Sequence, residues 1–123
     1  MHHPIRFVAL FIVALPVAHA EIIDIRWGAD ERFVHEGTVA AGRFTELCGK
    51  LPAGQNVRWQ FEASVAVDFN LHYHVEKTVV VPSKLAAVQR ADGVLATKIA
   101  QDYCWMWTNK SSTPATLSIT LQR

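Results

Sequence analysis

The sequence predicts an all-β protein, an antiparallel β-sandwich of about seven to eight strands. Three observations favour this fold class. Apolar and polar residues alternate with a period of two in several segments, which is typical of strands with one buried face. Turn-forming residues recur about every 8 to 12 positions, as they do in sandwiches. No segment keeps a helical periodicity over roughly ten residues or more.

Residues 1–20 are predicted to be a signal peptide. The basic start "MHHPIR" is followed by the apolar run "FVALFIVALPVA" and then by "AHA" before Glu21, which is the order of a charged region, an apolar region and a cleavage site. The apolar run is shorter than the ~20 residues that cross a bilayer. The mature chain, residues 21–123, is therefore expected to be secreted or periplasmic, with no stable membrane anchor, and to form one domain.

The first strands are predicted in residues 21–51. In "EIIDIRW" the apolar side chains from Ile23 to Trp27 alternate with polar ones. Residues 35–51 are expected to form strand on both sides of an interruption at Gly42. The next four residues, "PAGQ", predict a turn, because proline fixes φ and glycine tolerates positive φ.

The middle of the chain predicts further strands and one ambiguous segment. Two strands are expected in residues 56–67 and 68–75. The segment "KTVVVP" predicts a strand that Pro82 ends. Residues 83–94 fit either a helical turn capped by Ser83 or a strand leading into a hairpin turn at Asp92-Gly93. The last strands are predicted in residues 94–100, 102–109 and 115–122.

The charge of the mature chain argues against two classes of partner. Because Arg6 belongs to the predicted signal peptide, the mature chain has equal numbers of basic and acidic residues and no net formal charge. It also lacks a basic stripe. Nucleic acids and anionic membrane surfaces are bound mainly through clustered Lys and Arg, so neither is expected as a partner.

Cys48 and Cys104 are the two cysteines of the chain. In a small exported domain an even pair of cysteines is most simply a disulfide. The alternative, two thiolates in a metal site, is weaker, because the chain has no C-x-x-C motif and the neighbours of Cys48, "ELCGKL", are expected to offer no further ligand. The sequence therefore predicts a disulfide between Cys48 and Cys104.

A candidate metal site lies in "VDFNLHYHVEK". His72 and His74 face the polar side of the predicted strand, with Cα atoms about 7 Å apart, and Glu76 is next along the same face. Two imidazoles at this spacing can converge on copper or zinc. His35 and Met106 are possible completions of the ligand set. The alternative is a solvated strand face on which histidines occur without a ligand role.

The segment "DYCWMWTN" offers a second candidate surface. Alternation places Trp105, Trp107 and Asn109 on one side of a strand and Cys104 with Met106 on the other. Two aligned indoles are suited to stacking on a sugar or to lining the contact with a partner. The alternative, which we favour, is that tryptophans in a domain of this size fill the core.

The stretches "AGQNVRWQFEASVAVDFNLHYH", "ADGVLAT" and "DYCWMWTNKSS…ATLSITL" resemble the GOLD domain. That domain is a small β-sandwich of early secretory cargo receptors and of some lipid-transfer proteins. The resemblance covers residues 37–122 and implies a GOLD-like or jelly-roll-like sandwich that binds proteins or lipids without catalysis. It implies no catalytic residues. One departure is that the family's second cysteine lies closer to the asparagine, at the place of Met106.

The motifs favour a non-catalytic binding domain. The chain has no G-x-S-x-G, no glycine-rich phosphate loop and no H-E-x-x-H, so it is not expected to be an enzyme. An exported domain that binds a protein or a small ligand is the first prediction. A periplasmic copper or zinc protein that uses His72 and His74 is the alternative, and a carbohydrate-binding sandwich that uses Trp105 and Trp107 is the third. The sequence specifies no certain cofactor.

Overall fold

A computed structural model describes residues 2–4, 8–10 and 21–123 of the chain. The predicted signal peptide, residues 1–20, lies outside the described residues except for the two short segments, which have no regular secondary structure. In the described ranges, no helix is long and apolar enough to cross a membrane. The mature chain contains seven strands: β1 (Glu21–Asp24), β2 (Arg32–Val39), β3 (Phe44–Leu51), β4 (Asn56–Val75), β5 (Thr78–Ala96), β6 (Gln101–Thr108) and β7 (Ala115–Gln122).

The strands form one folded sheet in the order β1-β3-β6-β4-β7-β2, and β5 pairs with β4. One edge of β4 is shared by two neighbours, because residues 58–63 pair with β7 and residues 68–72 pair with β6. The sheet therefore divides into two halves. The β7 half contains β2, β7, the start of β4 and the end of β5, and the β6 half contains β1, β3, β6, the end of β4 and the start of β5.

The pairing confirms the predicted all-β class and adds one exception to its antiparallel character. All neighbouring strands are antiparallel except β1, which runs parallel to β3. The strand interruption expected at Gly42 and the turn expected at "PAGQ" are both present as turns, with positive φ at Gly42 and Gly54. The alternation predicted at the start of the mature chain is also confirmed, because Ile23, Ile25 and Trp27 pack against the core.

The β4–β5 hairpin is longer than the sequence predicted. The two strands predicted in residues 56–67 and 68–75 form one continuous strand, β4. The pairing register between β4 and β5 shifts at three places, the first between Glu62 and Val67. Such bulges bend a strand and increase its twist. The bend lets one hairpin contribute to both halves of the sheet.

Two local predictions within β5 were wrong, and one open alternative is decided. Pro82 does not end a strand, because β5 has only β4 as a neighbour among residues 21–123, and an edge strand tolerates a residue without an N–H. The segment after Ser83 is strand, which is one of the two alternatives that the sequence left open. Asp92-Gly93 is not a hairpin turn: Gly93 lies opposite Trp59, and a Cβ atom there would come within 2.5 Å of the indole. The hairpin turns instead at Glu76-Lys77, where Glu76 has a positive φ.

Side chains from both halves meet in one core. Trp59 and Phe61 come from the part of β4 in the β7 half, and Phe69 comes from the part in the β6 half. The ring centroids of Trp59 and Phe69 are 4.7 Å apart, and that of Trp107 on β6 lies 5.6 Å from Phe61 and 5.5 Å from Phe69. These aromatic contacts hold the folded sheet closed.

Candidate functional site

The candidate site lies on the outer surface of the β6 half. Strand register places Cys48 of β3 beside Cys104 of β6, and Cys104 beside His72 of β4. Two residues further along each strand, Glu46 of β3 lies beside Met106 of β6, and Met106 lies beside Asn70 of β4. We call this outward-facing group of six residues the histidine face.

The predicted disulfide is confirmed, and it lies on the histidine face rather than in the core. Cys48 and Cys104 occupy directly opposite positions on adjacent antiparallel strands, with Cα atoms 4.2 Å apart. Cys48 is only half-buried. Met106 shares this side of β6, as alternation predicted, and Trp105 and Trp107 point the other way into the core.

His72 is the buried titratable group of this face, with 6% of the residue exposed. Its Nε2 atom lies 3.0 Å from Oε1 of Glu46, and its Nδ1 atom lies 2.6 Å from Oδ1 of Asn70. Both ring nitrogens therefore face oxygen acceptors. A neutral imidazole has one N–H and can donate to only one of them, so the arrangement is complete only when a second proton or another cation is present.

Burial lowers the pKa of His72 below its ordinary value of 6.5, because removal from water disfavours the imidazolium. The nearby charge of Glu46 opposes this shift and His74 adds to it. In the folded, metal-free protein the neutral form is therefore favoured at pH 7. Proton binding is weaker in the folded state than in the unfolded state.

This shift predicts that the protein loses stability in mild acid. Below about pH 6.5 the unfolded state binds a proton at His72 more readily than the folded state does, so the free energy of unfolding decreases as the pH is lowered. Above about pH 6.5 His72 is neutral in both states and makes no pH-dependent contribution. Urea unfolding between pH 8 and pH 5 will show a steeper loss for the wild type than for His72→Gln. His74→Gln removes only a smaller contribution to the same pKa shift and will keep most of the wild-type slope. Equal slopes for the wild type and His72→Gln would contradict this assignment.

The structure brings His72 and His74 side by side, and it spreads the other three predicted metal ligands over a turn, β6 and β2. His74 is exposed, and its ring centroid lies 5.4 Å from that of His72 in an edge arrangement. Glu76 is in the hairpin turn, and Met106 is on the histidine face opposite Asn70. His35 lies on β2 in the β7 half, stacked on Phe33. Copper or zinc binding by the His72 and His74 pair stays a prediction.

Glu46 is the functional candidate that the sequence analysis missed. Among the described residues, the side chains that converge as possible metal ligands are Glu46, His72 and Cys104, whose ligand atoms all lie within 4.8 Å of one another. Glu46 belongs to "ELCGKL", the segment expected to offer no ligand. Its position two residues before Cys48 puts both on one strand face, which was the available signal.

The core position favoured for the tryptophans is confirmed, and their use as a binding surface, with Asn109, is wrong. Trp105 and Trp107 are both 0% exposed, so neither can stack on a sugar or contact a partner. Asn109 is also buried. Its amide donates to the carbonyls of Val39 and Thr113, and its Oδ1 atom accepts from Ser111. Its role is to hold the turn between β6 and β7.

The tip of the β4–β5 hairpin is a second candidate surface. The ladder between β4 and β6 ends at His72. Beyond it, β6 still contacts the hairpin through the Tyr73–Tyr103 ring pair and the hydrogen bond from Gln101 to the His74 carbonyl, so the hairpin extends past β6 from Val75. The exposed fractions of Val75, Val79 and Val81 are 43%, 51% and 44%. Lys77 lies in the turn between them and has no acidic group within 4.0 Å among the described residues. We call residues 73–81 the hairpin tip.

Comparison with known proteins shows similarity in fold but not in sequence. No protein-family model matches the chain, and no curated protein matches it in sequence. The GOLD resemblance therefore stays a prediction.

Solved structures with the same fold include two periplasmic lysozyme inhibitors and a collagenase domain. PliG of Aeromonas hydrophila, a periplasmic inhibitor of g-type lysozyme, matches with a TM-score of 0.64 and 12% identity over 86% of this chain and 100% of its own. PliG of Salmonella Typhimurium matches with a TM-score of 0.57 and 10% identity over 85% of this chain and 98% of its own. The pre-peptidase C-terminal domain of Bacillus anthracis collagenase matches with a TM-score of 0.55 and 9% identity over 89% of this chain and 100% of its own. At these identities, the matches show a shared fold.

Proposed function

We propose that the mature chain is an exported, non-catalytic protein-binding domain that inhibits a lysozyme of the g type, with the hairpin tip as its contact surface. The observation that carries the proposal is the end of the hairpin tip, which extends past β6 from Val75, with three exposed valines near Lys77, a lysine that has no acidic partner among the described residues. A projecting β-ribbon can enter a cleft that a flat sheet face cannot. The predicted signal peptide supports export.

The extent of the structural likeness supports an inhibitor. Two periplasmic inhibitors of g-type lysozyme match this fold over 98% to 100% of their solved chains, so nearly every part of those chains has a counterpart here. The collagenase domain shares the fold as well, which means that the partner must be inferred from the surface. Function depends on the site rather than on the fold.

The chemistry of the hairpin tip fits a glycosidase cleft. Apolar side chains at the centre of a contact and polar groups at its rim are typical of protein interfaces, and Val75, Val79 and Val81 can supply the apolar part. Most glycosidases place two carboxyl groups on either side of the bond they cleave. The ammonium group of Lys77 is suited to pair with such a carboxylate. The hairpin tip would then fill the cleft, and the enzyme could not cleave it because it contains no glycosidic bond.

The experiment is a peptidoglycan hydrolysis assay with a purified g-type lysozyme and residues 21–123 carrying the disulfide. We expect inhibition through a one-to-one complex. Val79→Asp will weaken it at least tenfold, because a buried unpaired charge at a contact centre costs more than 1.4 kcal/mol, which is about a factor of ten. Lys77→Glu will weaken it by repulsion from the cleft carboxylates.

Val94→Asp is the matched control. Val94 is an exposed valine of the same strand, 61% exposed, and lies in the β7 half away from the hairpin tip. The variant is expected to inhibit like the wild type. Absence of any complex with the lysozyme would reject the partner, and equal losses from Val79→Asp and Val94→Asp would reject the hairpin tip as the contact surface.

A further inference from the structure

We propose that reduction of the Cys48–Cys104 disulfide creates a four-ligand zinc site on the histidine face, formed by Cys48, Cys104, His72 and Glu46. The site adjoins the hairpin tip, because His72 directly precedes it on β4, but none of its four ligands belongs to the tip and the proposal does not depend on lysozyme inhibition. In the oxidised protein the two sulfurs are bonded to each other and are not available as thiolates.

The distances already suit one small cation. The ligand atoms of Glu46, His72 and Cys104 all lie within 4.8 Å of one another, and the sulfur of Cys48 is bonded to that of Cys104. In tetrahedral zinc sites with bonds of about 2.0 to 2.3 Å, adjacent ligand atoms are about 3.3 to 3.8 Å apart. The Nε2 atom of His72 and the Oε1 atom of Glu46 are 3.0 Å apart. Small side-chain movements would therefore complete the tetrahedron.

The fold holds these ligands in place from three neighbouring strands. Cys48 and Glu46 share one face of β3, and Cys104 on β6 lies between Cys48 and His72 on β4. Hydrogen-bonded strands fix the spacing of the backbone before any metal arrives. Two sulfurs, one imidazole and one carboxylate make a ligand set that zinc accepts.

The surroundings of His72 provide a second, independent observation. Oδ1 of Asn70 lies 2.6 Å from Nδ1. Histidines that bind zinc usually donate their other ring N–H to a carbonyl or carboxylate, which fixes the tautomer. With Nδ1–H donated to Asn70, the lone pair of Nε2 points toward the carboxylate of Glu46. A cation between these two atoms satisfies both.

The chemistry balances with a dithiol as reductant, of the class that exported thiol–disulfide oxidoreductases carry. The dithiol gives two electrons and two protons, its own sulfurs become a disulfide, and Cys48 and Cys104 become thiols. Zinc then displaces the two thiol protons, which pass to solvent. Cys48 is half-buried on the outer surface, so an attacking thiolate can approach it.

The test is zinc titration of the mature chain in oxidised and reduced forms against a competing chelator. The reduced form is prepared with dithiothreitol and desalted without oxygen. We expect one zinc per reduced chain with sub-micromolar affinity, and binding at least a hundredfold weaker to the oxidised chain. Cobalt(II) added to the reduced chain will show thiolate charge-transfer absorption, which reports sulfur ligation directly.

The variants identify the other two ligands. His72→Ala and Glu46→Gln are each expected to weaken zinc binding by the reduced chain at least tenfold. His74→Ala is the matched control, because His74 is the neighbouring histidine on the same strand face, and it will bind like the wild type. If His74→Ala abolished binding and His72→Ala did not, the assignment would be overturned.

Two further outcomes would also overturn it. One is equal zinc affinity of the oxidised and reduced chains, and the other is wild-type affinity in both His72→Ala and Glu46→Gln. Far-ultraviolet circular dichroism covers the case in which the reduced chain unfolds. Zinc that restores the fold in the wild type but not in His72→Ala supports the site, and zinc that neither binds nor restores the fold rejects it.

Discussion

Replacing both cysteines, Cys48→Ala with Cys104→Ala, will lower the free energy of unfolding by about 4 kcal/mol. The disulfide joins residues 56 positions apart, and a loop of that length restricts the unfolded chain by an entropy worth about 4 kcal/mol in the chain-entropy model. The mature chain has about a hundred residues, and single domains are stable by only about 5 to 15 kcal/mol. The loss is therefore a large share of the total, and urea unfolding at pH 7 measures it.

Chemical reduction is the control for this prediction. Reduction of the wild type with dithiothreitol in the presence of a chelator breaks the same crosslink without changing the side chains, so it should cause a loss similar to that of the double variant. A loss below about 1 kcal/mol in both would contradict the entropic explanation. It would mean that the unfolded chain keeps β3 and β6 together without the bond.

Trp107→Ala will lower the free energy of unfolding by about 3 to 5 kcal/mol. Trp107 is fully buried, and its indole contacts Phe61 from the β7 half and Phe69 from the β6 half. Truncating a buried tryptophan removes apolar burial and leaves a cavity, and it also breaks two aromatic pairs worth about 0.5 to 1.5 kcal/mol each. Urea unfolding followed by circular dichroism at pH 7 gives the difference.

Two variants calibrate the effect of Trp107. Trp107→Phe keeps a ring in the same place and should cost less than Trp107→Ala. Val94→Ala, at an exposed position, should stay within about 0.5 kcal/mol of the wild type. If Trp107→Ala cost no more than Val94→Ala, the indole would not be part of the core and a surface role would return.

The sequence could predict local structure wherever one rule acted alone. Alternation identified Ile23, Ile25 and Trp27 as inward-facing, and glycine conformation identified the turns at Gly42 and Gly54. Prediction from the sequence failed in β5, where the residues that usually end a strand lie inside one. Pro82 and Gly93 normally interrupt strands, yet an edge position tolerates the proline and the indole of Trp59 covers the glycine. Neither fact is visible without the neighbouring strand.

The candidate site was predictable only in part for the same reason. His72 stood out because it shares a strand face with His74, whereas Glu46 and Cys48 lie more than twenty residues earlier in the chain. Only the order β3-β6-β4 brings them to His72. The sequence therefore identified His74 as the neighbour of His72, and the structure identified Glu46, two strands away in the sheet, as its contact.

The sequence by itself determined the all-β class, the pairing of two cysteines and the inward position of most apolar residues. Each follows from the two-residue period of a strand or from the number of cysteines. The tertiary structure decided the bend of the β4–β5 hairpin and the meeting of Glu46 with His72. These depend on strand order and register, which arise from packing between segments distant in the chain and leave no local period to read.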